Sequence, residues 1–257
     1  MGSLLLTVDI GNTTTHLGAF DGDKLVFSFR LASTHTRTAD EAALLLKQVM
    51  RENDLAPTAV TGAVTGSVVP VLTPMFEKAI LTACGVSPLN VTYQTKSVIR
   101  LDFQHPEQVG ADRIANAEGF WIEHHSTGIV VDFGTATTFD VISNDGAFLG
   151  GAIAPGLETS AERLAAKAAQ LPKVGFGPPE SPIGRTTEDA LRSGVFFAGV
   201  GAVDEIVQRI AAALPGKPKV IATGGLAEVI AAESKTIEAI DPILTLKGLK
   251  YLYQANN

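Results

Sequence analysis

The chain of 257 residues has one cysteine, Cys84, one tryptophan and no surplus of positive charge, with 20 Lys and Arg against 27 Asp and Glu and a formal net charge of −7. A single cysteine excludes an internal disulfide, and no Cys/His cluster has metal-ligand spacing. Packing is left to hold the fold, and a reducing cytoplasm is the expected compartment. The acidic balance argues against a nucleic-acid partner. Charged residues make up 18%, below the roughly 25% of an average globular chain, while apolar residues reach 46%. That composition excludes large-scale disorder and supplies one large core or two small ones. No uncharged apolar run approaches the roughly 20 residues of a membrane span. The start, MGSLLLTVDIGN, has no basic n-region, and Leu6 stands where a myristoylation pattern needs Ser or Thr. A soluble protein with no membrane partner is expected.

What the chain does have is a weak internal repeat. LLLTVDIGNTTTHLGAF carries Asp9, Gly11, Thr14 and Thr15, and TGIVVDFGTATTFDVIS carries Asp132, Gly134, Thr137 and Thr138, each 123 residues further on. β-Branched residues flanking a short polar cluster predict a strand, a tight glycine-bearing turn and a second strand in each copy. GAVTGSVVP, with Thr65 and Gly66, finds an echo in VIATGGLAE, with Thr223 and Gly224. Two similar mixed α/β halves follow, drawn at residues 1–117 and 118–257. Thr38 with Glu41 and Thr186 with Asp189 are capping-box patterns ahead of helical stretches, and PGLETSAERLAAKAAQL is a further Ala-rich helix. Between the last two, VGFGPPESPIGRTT has three prolines and three glycines. It predicts an exposed loop able to cover a site.

An acidic residue ending a buried strand, followed by a turn rich in amides and hydroxyls, can hold a cation through Asp9 and phosphate oxygens through Gly11 to Thr14. Asp9 and Asn12 would equally make Asx-type bonds in an ordinary turn. The copy at Asp132 favours the phosphate reading, because independent structural turns have no need to repeat. Neither a Walker A loop nor a Rossmann fingerprint is present. Gly110-Ala111-Asp112-Arg113 sets a proton acceptor and an anion clamp at the start of a helix, where a solvated, capping ion pair is the simpler explanation. In the second hairpin Asp132 could hold a cation and Thr135 a phosphate, or the threonines could pack across strands. Thr187 is read first as a helix cap. His124 and His125 are assigned to solvent, and Trp121, Phe196 and Phe197 to the core or an interface.

Taken together and in order, DIGNTTT, TGSVVP, VGADRIANA, DFGTATT, GGAIAPGL, TEDALRSG and ATGGLA resemble the type III pantothenate kinases over essentially the whole chain, from about Leu4 to Tyr251. GADR together with DFGTATT is the most specific part. The resemblance implies the acetate and sugar kinase, heat-shock-protein-70 and actin superfamily, with a nucleotide cleft between two ribonuclease-H-like halves. It implies a first phosphate-binding element from Asp9 through Ile10, Gly11, Asn12, Thr13, Thr14 and Thr15 to His16, with Asp9 near magnesium. Thr135 would touch ATP, Gly224 and Gly225 would border the adenine, and Asp132 would ligate an activating potassium or ammonium ion. Gly110, Ala111, Asp112 and Arg113 would line the pantothenate site, with Asp112 as proton acceptor and Thr187 as a further contact. A homodimer is also implied.

One departure stands out. Many family members carry Tyr three residues before the proline that precedes GADR, and this chain has Phe103 ahead of Pro106. Losing one neutral hydrogen bond of about 0.5–1.5 kcal/mol would raise KM several-fold without removing activity. Two other readings remain: a nucleotide-binding regulatory protein without turnover, and a kinase of the same fold acting on another small hydroxy acid. The expected reaction is transfer of the γ-phosphoryl of ATP to pantothenate, the first step of coenzyme A synthesis.

Overall fold

The computed structural model describes residues 3–167, 172 and 174–257. It divides into two units, Met1–Glu123 with Leu244–Asn257, and His124–Ile243. The boundary expected at 117/118 falls inside a helix, and the C-terminal helix belongs with the first unit rather than the second.

In the first unit β1 (Leu4–Ile10), β2 (Thr14–Asp21) and β3 (Lys24–Ala32) form an antiparallel meander. Helix α1 (Ala39–Glu52) then leads to β4 (Val60–Ser67), and α2 (Thr73–Cys84) to β5 (Leu89–Val91). β4 lies parallel to β1, and β5 parallel to β4, giving the order β3-β2-β1-β4-β5. A two-residue strand β6 (Arg100–Leu101) precedes α3 (Ala111–His124). Strand period explains the packing. Leu4, Leu6, Val8 and Ile10 share one face of β1 and are buried with Leu46 of α1 and Phe76 of α2. Each such side chain contributes roughly 1.5–3 kcal/mol. α1 starts as its sequence predicts: Thr38 accepts from the Glu41 backbone N–H at 3.2 Å while the Thr38 N–H donates to the Glu41 carboxylate at 2.8 Å.

The second unit repeats the design. β7 (Gly128–Phe133), β8 (Ala136–Ile142) and β9 (Ala147–Pro155) form the meander, and α4 (Leu157–Lys167) and α5 (Thr187–Ala212) follow. Next come β10 (Lys219–Gly224), parallel to β7, then α6 (Ala227–Ala231) and β11 (Ala239–Ile240). Along the sheet β9, β8, β7, β10 and β11 stand in the same order as their counterparts β3, β2, β1, β4 and β5. Phe139, Phe196 and Val203 anchor its core against α5. The stretch expected to continue α4 through residues 168–171 lies outside the described residues. The Gly/Pro-rich segment from Val174 forms neither helix nor strand, and Phe176 fastens it to the core with its ring centroid 5.7 Å from that of Phe196.

The last helix, α7 (Leu244–Asn256), packs on β1, β2, β4 and β5 of the first unit. Glycines make that possible. A Cβ on Gly62 would lie 2.2 Å from the Tyr253 hydroxyl, one on Gly66 2.9 Å from a Leu249 methyl, and one on Gly18 2.8 Å from a Leu246 methyl. The crossing of α7 with α3 is tighter still, since a Cβ on Gly248 would sit 1.8 Å from the carbonyl oxygen of Ala115. Because that obstacle is backbone, no rotamer change relieves it. We expect Gly248→Ala to destabilise the first unit by about 1–3 kcal/mol, read from chemical denaturation, with an unchanged midpoint contradicting this packing.

Candidate active site

Each unit builds its candidate site at the carboxyl end of its central strand. In the first, Asp9 sits half-buried in β1 with His16 of β2 on one side and Gly66 of β4 on the other. The turn that follows is closed by the Gly11 N–H donating to the Thr14 carbonyl at 3.1 Å, and the Ser33 N–H holds the Thr13 carbonyl at 2.8 Å. Asn12, Thr13 and Thr14 are exposed, while Ile10, Thr15 and His16 are buried. Thr15 is bonded to the Ser33 hydroxyl at 2.9 Å. His16 Nε2 meets the Ser28 hydroxyl at 2.7 Å. Burial, helped by the Arg30 charge, lowers the imidazole from 6.5 to about 4. His16 is therefore a neutral strand residue beside Asp9, set back from the exposed turn, and Ser28 is a partner that no sequence motif flagged.

The second hairpin is not a perfect copy. Asp9 pairs with His16 but Asp132 pairs with Thr138, so the spacing of 123 residues holds before the turn and becomes 122 after it. The second turn is one residue tighter, with the Gly134 N–H donating to the Ala136 carbonyl at 3.0 Å. Thr135 is exposed at its tip. Its carbonyl accepts from the Thr159 hydroxyl at 3.3 Å, and a Cβ on Gly156 would lie 2.2 Å from that oxygen. The first turn of α4 is thus pinned to the hairpin through GGAIAPGL, whose glycine closing that run is the overlooked signal. β10 brings Thr223 beside Asp132 and Gly224 beside Phe133. Gly225 donates its N–H to the Phe133 carbonyl at 3.0 Å.

Gly224 has φ +89°, and a Cβ there would stand 2.5 Å from a carboxylate oxygen of Asp132 and 2.6 Å from the Phe133 backbone. Only glycine leaves this cradle open. Beside the Phe133 amide it presents two oxygens, one from the Asp132 carboxylate and the Phe133 carbonyl, the chemistry that hard cations such as potassium or magnesium prefer. Among the described residues no group of three or more His, Cys, Asp or Glu is arranged to hold a metal. A cation here would rest on one carboxylate with a backbone oxygen, and Asp9 offers the same kind of single anchor in the first unit.

GADR opens α3 as its sequence predicts. Asp112 folds back over Gly110, where a Cβ would meet its carboxylate at 2.5 Å and Val68 at 3.1 Å. The Arg113 N–H donates to that carboxylate at 2.7 Å. Asp112 is half-buried in a crowded recess. Desolvation raises its pKa, outweighing the opposing pull of the Arg113 amide and guanidinium. A carboxyl raised in this way is a better proton acceptor than one in open water. Ala111 is buried at the helix start, and Phe103 is half-buried in the segment before it.

Two readings from the sequence change. Thr186, not Thr187, caps α5, accepting from the Asp189 N–H at 3.1 Å; Thr187 is the exposed first residue of the helix. His124 is half-buried and its Nδ1 lies 3.2 Å from Lys219 Nζ, because the end of α3 turns into β7 beside β10; only His125 is exposed. Phe196 is core, whereas Phe197 is 39% exposed and meets it edge-on at 5.4 Å.

Two units of one topology, each with an acidic strand end and a polar hairpin, define a fold of the actin-like ATPase and sugar-kinase type. Solved structures share that fold. A Campylobacter jejuni protein described as a Baf family transcriptional activator superposes with a TM-score of 0.60 at 22% identity, covering 98% of both chains. A ROK family glucokinase from Streptomyces griseus does so at 0.51 and 14%, covering 98% of this chain and 99% of its own. The family model for type III pantothenate kinases matches residues 5–209. A type III pantothenate kinase of Geobacter sulfurreducens is 43% identical over 98% of this chain and 99% of its own length. The chain belongs to the type III pantothenate kinase family.

His16 also gives the fold a pH signature. Its pKa is lower folded than unfolded, so the unfolded chain binds the extra proton first as pH falls. Its contribution is complete above about 6.5 and is lost as pH falls toward about 4. We expect His16→Gln to remove that part of the slope in stability between pH 7 and 5, measured by urea denaturation. An unchanged slope would contradict a buried, neutral His16.

Proposed function

We propose that the chain phosphorylates pantothenate at its primary hydroxyl with ATP, giving 4′-phosphopantothenate and ADP. The observation that carries this reading is a full-length family match joined to the recessed, proton-hungry Asp112 beside Arg113. The Asp9 hairpin and the Asp132 hairpin receive the phosphates, with Gly11 through Thr14 and Thr135 presenting amides and hydroxyls. Gly224 and Gly225 border the adenine. Arg113 takes the pantothenate carboxylate in bidentate fashion, and Gly110, Ala111 and Thr187 complete the acceptor site. Asp112 orients the hydroxyl and accepts its proton as the oxygen attacks the γ-phosphorus.

Magnesium held by Asp9 through phosphate or water, and a monovalent cation held by Asp132, would neutralise charge that the phosphates bring into an acidic protein. Little covalent work is left to the side chains: alignment and charge placement carry the reaction. Phe103 contacts pantothenate through its ring and lacks the hydroxyl of the commoner Tyr. The protein works in the cytoplasm as a homodimer.

Asp112→Asn should lower kcat by about 10²- to 10⁴-fold. The same change should raise stability near neutral pH, because the ionised carboxylate is costly where it sits: a raised folded pKa means stability falls as pH rises through it. Wild-type kcat should fall on acidification with a midpoint above the usual carboxylate value of about 3.9. Full turnover in the mutant would exclude Asp112 as the base. Replacing potassium by sodium at equal ionic strength should depress kcat, and equal rates in both salts would remove the cation role of Asp132.

A further inference from the structure

Residues 92–109, between β5 and Gly110, contain little regular structure: the two-residue strand β6 and one turn of 3-10 helix, Pro106–Gln108. Side chains from two helices anchor this segment near its start. Asn256 of α7 donates its amide to the Lys96 carbonyl at 2.8 Å and accepts from the Lys96 N–H at 3.3 Å. The next three residues converge on Glu118 of α3, which is completely buried. Its Oε2 accepts from the Ser97 hydroxyl at 2.6 Å and the Ile99 N–H at 3.3 Å, and its Oε1 from the Val98 N–H at 3.2 Å. Ser97 Oγ in turn accepts from the Ile99 N–H at 3.2 Å.

An apolar side chain would fill a core position at less cost than a carboxylate, which must recover its lost hydration from the donors around it. What the carboxylate adds is direction: donors on three consecutive residues fix one backbone path. α3 carries Asp112 and Arg113 at its start and Glu118 less than two turns further on. The chain leaving the anchor runs through Phe103 to Gly110, so one helix holds both ends of the stretch assigned to the acceptor. Residues 100–108 include no fully buried member, so a displaced anchor would carry Phe103 with it. We propose that Glu118 is a positioning residue for pantothenate, acting through residues 97–99 on Phe103 and Gly110 and touching no substrate itself. The inference rests on the proposed reaction.

Steady-state kinetics of the full-length protein test it. Glu118→Gln places an amide donor against the Val98 N–H or against the Ser97 and Ile99 pair. KM for pantothenate should rise roughly three- to tenfold, with kcat and KM for ATP within about twofold of wild type. Ser97→Ala keeps the backbone bonds to Glu118 and should raise the same KM by about two- to threefold. Asp204→Asn is the control. Asp204 of α5 accepts from the Ser234 and Thr236 hydroxyls at 2.6 and 2.8 Å and from the Lys235 N–H at 3.1 Å, an anchor of the same chemistry on a segment that carries no acceptor residue. Its loss should lower Tm and leave KM for pantothenate unchanged. With wild-type turnover intact, the inference is overturned by an unchanged KM for pantothenate in Glu118→Gln, or in Ser97→Ala where the first variant does not fold. A rise shared equally by KM for ATP, or by Asp204→Asn, would overturn it as well. Wild-type protein that forms no phosphopantothenate would overturn the proposed reaction and this role with it.

Discussion

The structure depends on one switch of strand direction made twice. β1 and β7 each have an antiparallel neighbour on one side, β2 or β8, and a parallel neighbour on the other, β4 or β10. Chain that arrives by a hairpin and chain that arrives by a helical crossover meet at the carboxyl end of one strand. Backbone amides and carbonyls diverge there, and ligands of open α/β sheets settle at such points. Asp9 and Asp132 stand at that position. The neighbouring strand must then be small beside them, which accounts for Gly66 next to Asp9 and for Gly224 one residue beyond Asp132 with a conformation that no other residue adopts easily.

The two halves use this shared frame differently. In the first, α3 begins beside β4, and Asp112 turns back over Gly110 with Arg113 as its immediate neighbour. Desolvation outweighs the guanidinium and raises the pKa of Asp112, while His16 on β2 is kept neutral by burial. In the second, the hairpin is tighter, the α4 terminus is pinned to Thr135, and the Asp132 carboxylate stands with the Phe133 carbonyl at Gly224. Under the proposed function Asp112 would be the base and Asp132 the cation anchor, a division of labour suited to phosphoryl transfer, where charge placement outweighs covalent chemistry.

Much of this was legible in the sequence because it lay in side-chain pattern. The hairpins, the caps at Thr38 and Thr186 and the GADR helix start all show as local residue types at fixed spacing. The one-residue contraction of the second turn did not, since DIGNTTTH and DFGTATTF have equal length and only strand register separates them. The placement of α7 was hidden for a different reason. It is written in Gly18, Gly62, Gly66 and Gly248, where the signal is the absence of a side chain from a surface formed by residues distant in sequence. The partner of His124, Lys219, lies 95 positions away on β10, so no local pattern shows that contact. At Thr186-Thr187 two adjacent hydroxyls offer the same cap, and only the backbone decides that Thr186 makes it.

The most direct test of the central claim is phosphorus NMR of the purified protein with ATP, magnesium, potassium and pantothenate. The account predicts a new phosphomonoester signal that grows in step with ADP and needs pantothenate to appear. ATP that stays intact, or that releases only inorganic phosphate, would contradict it.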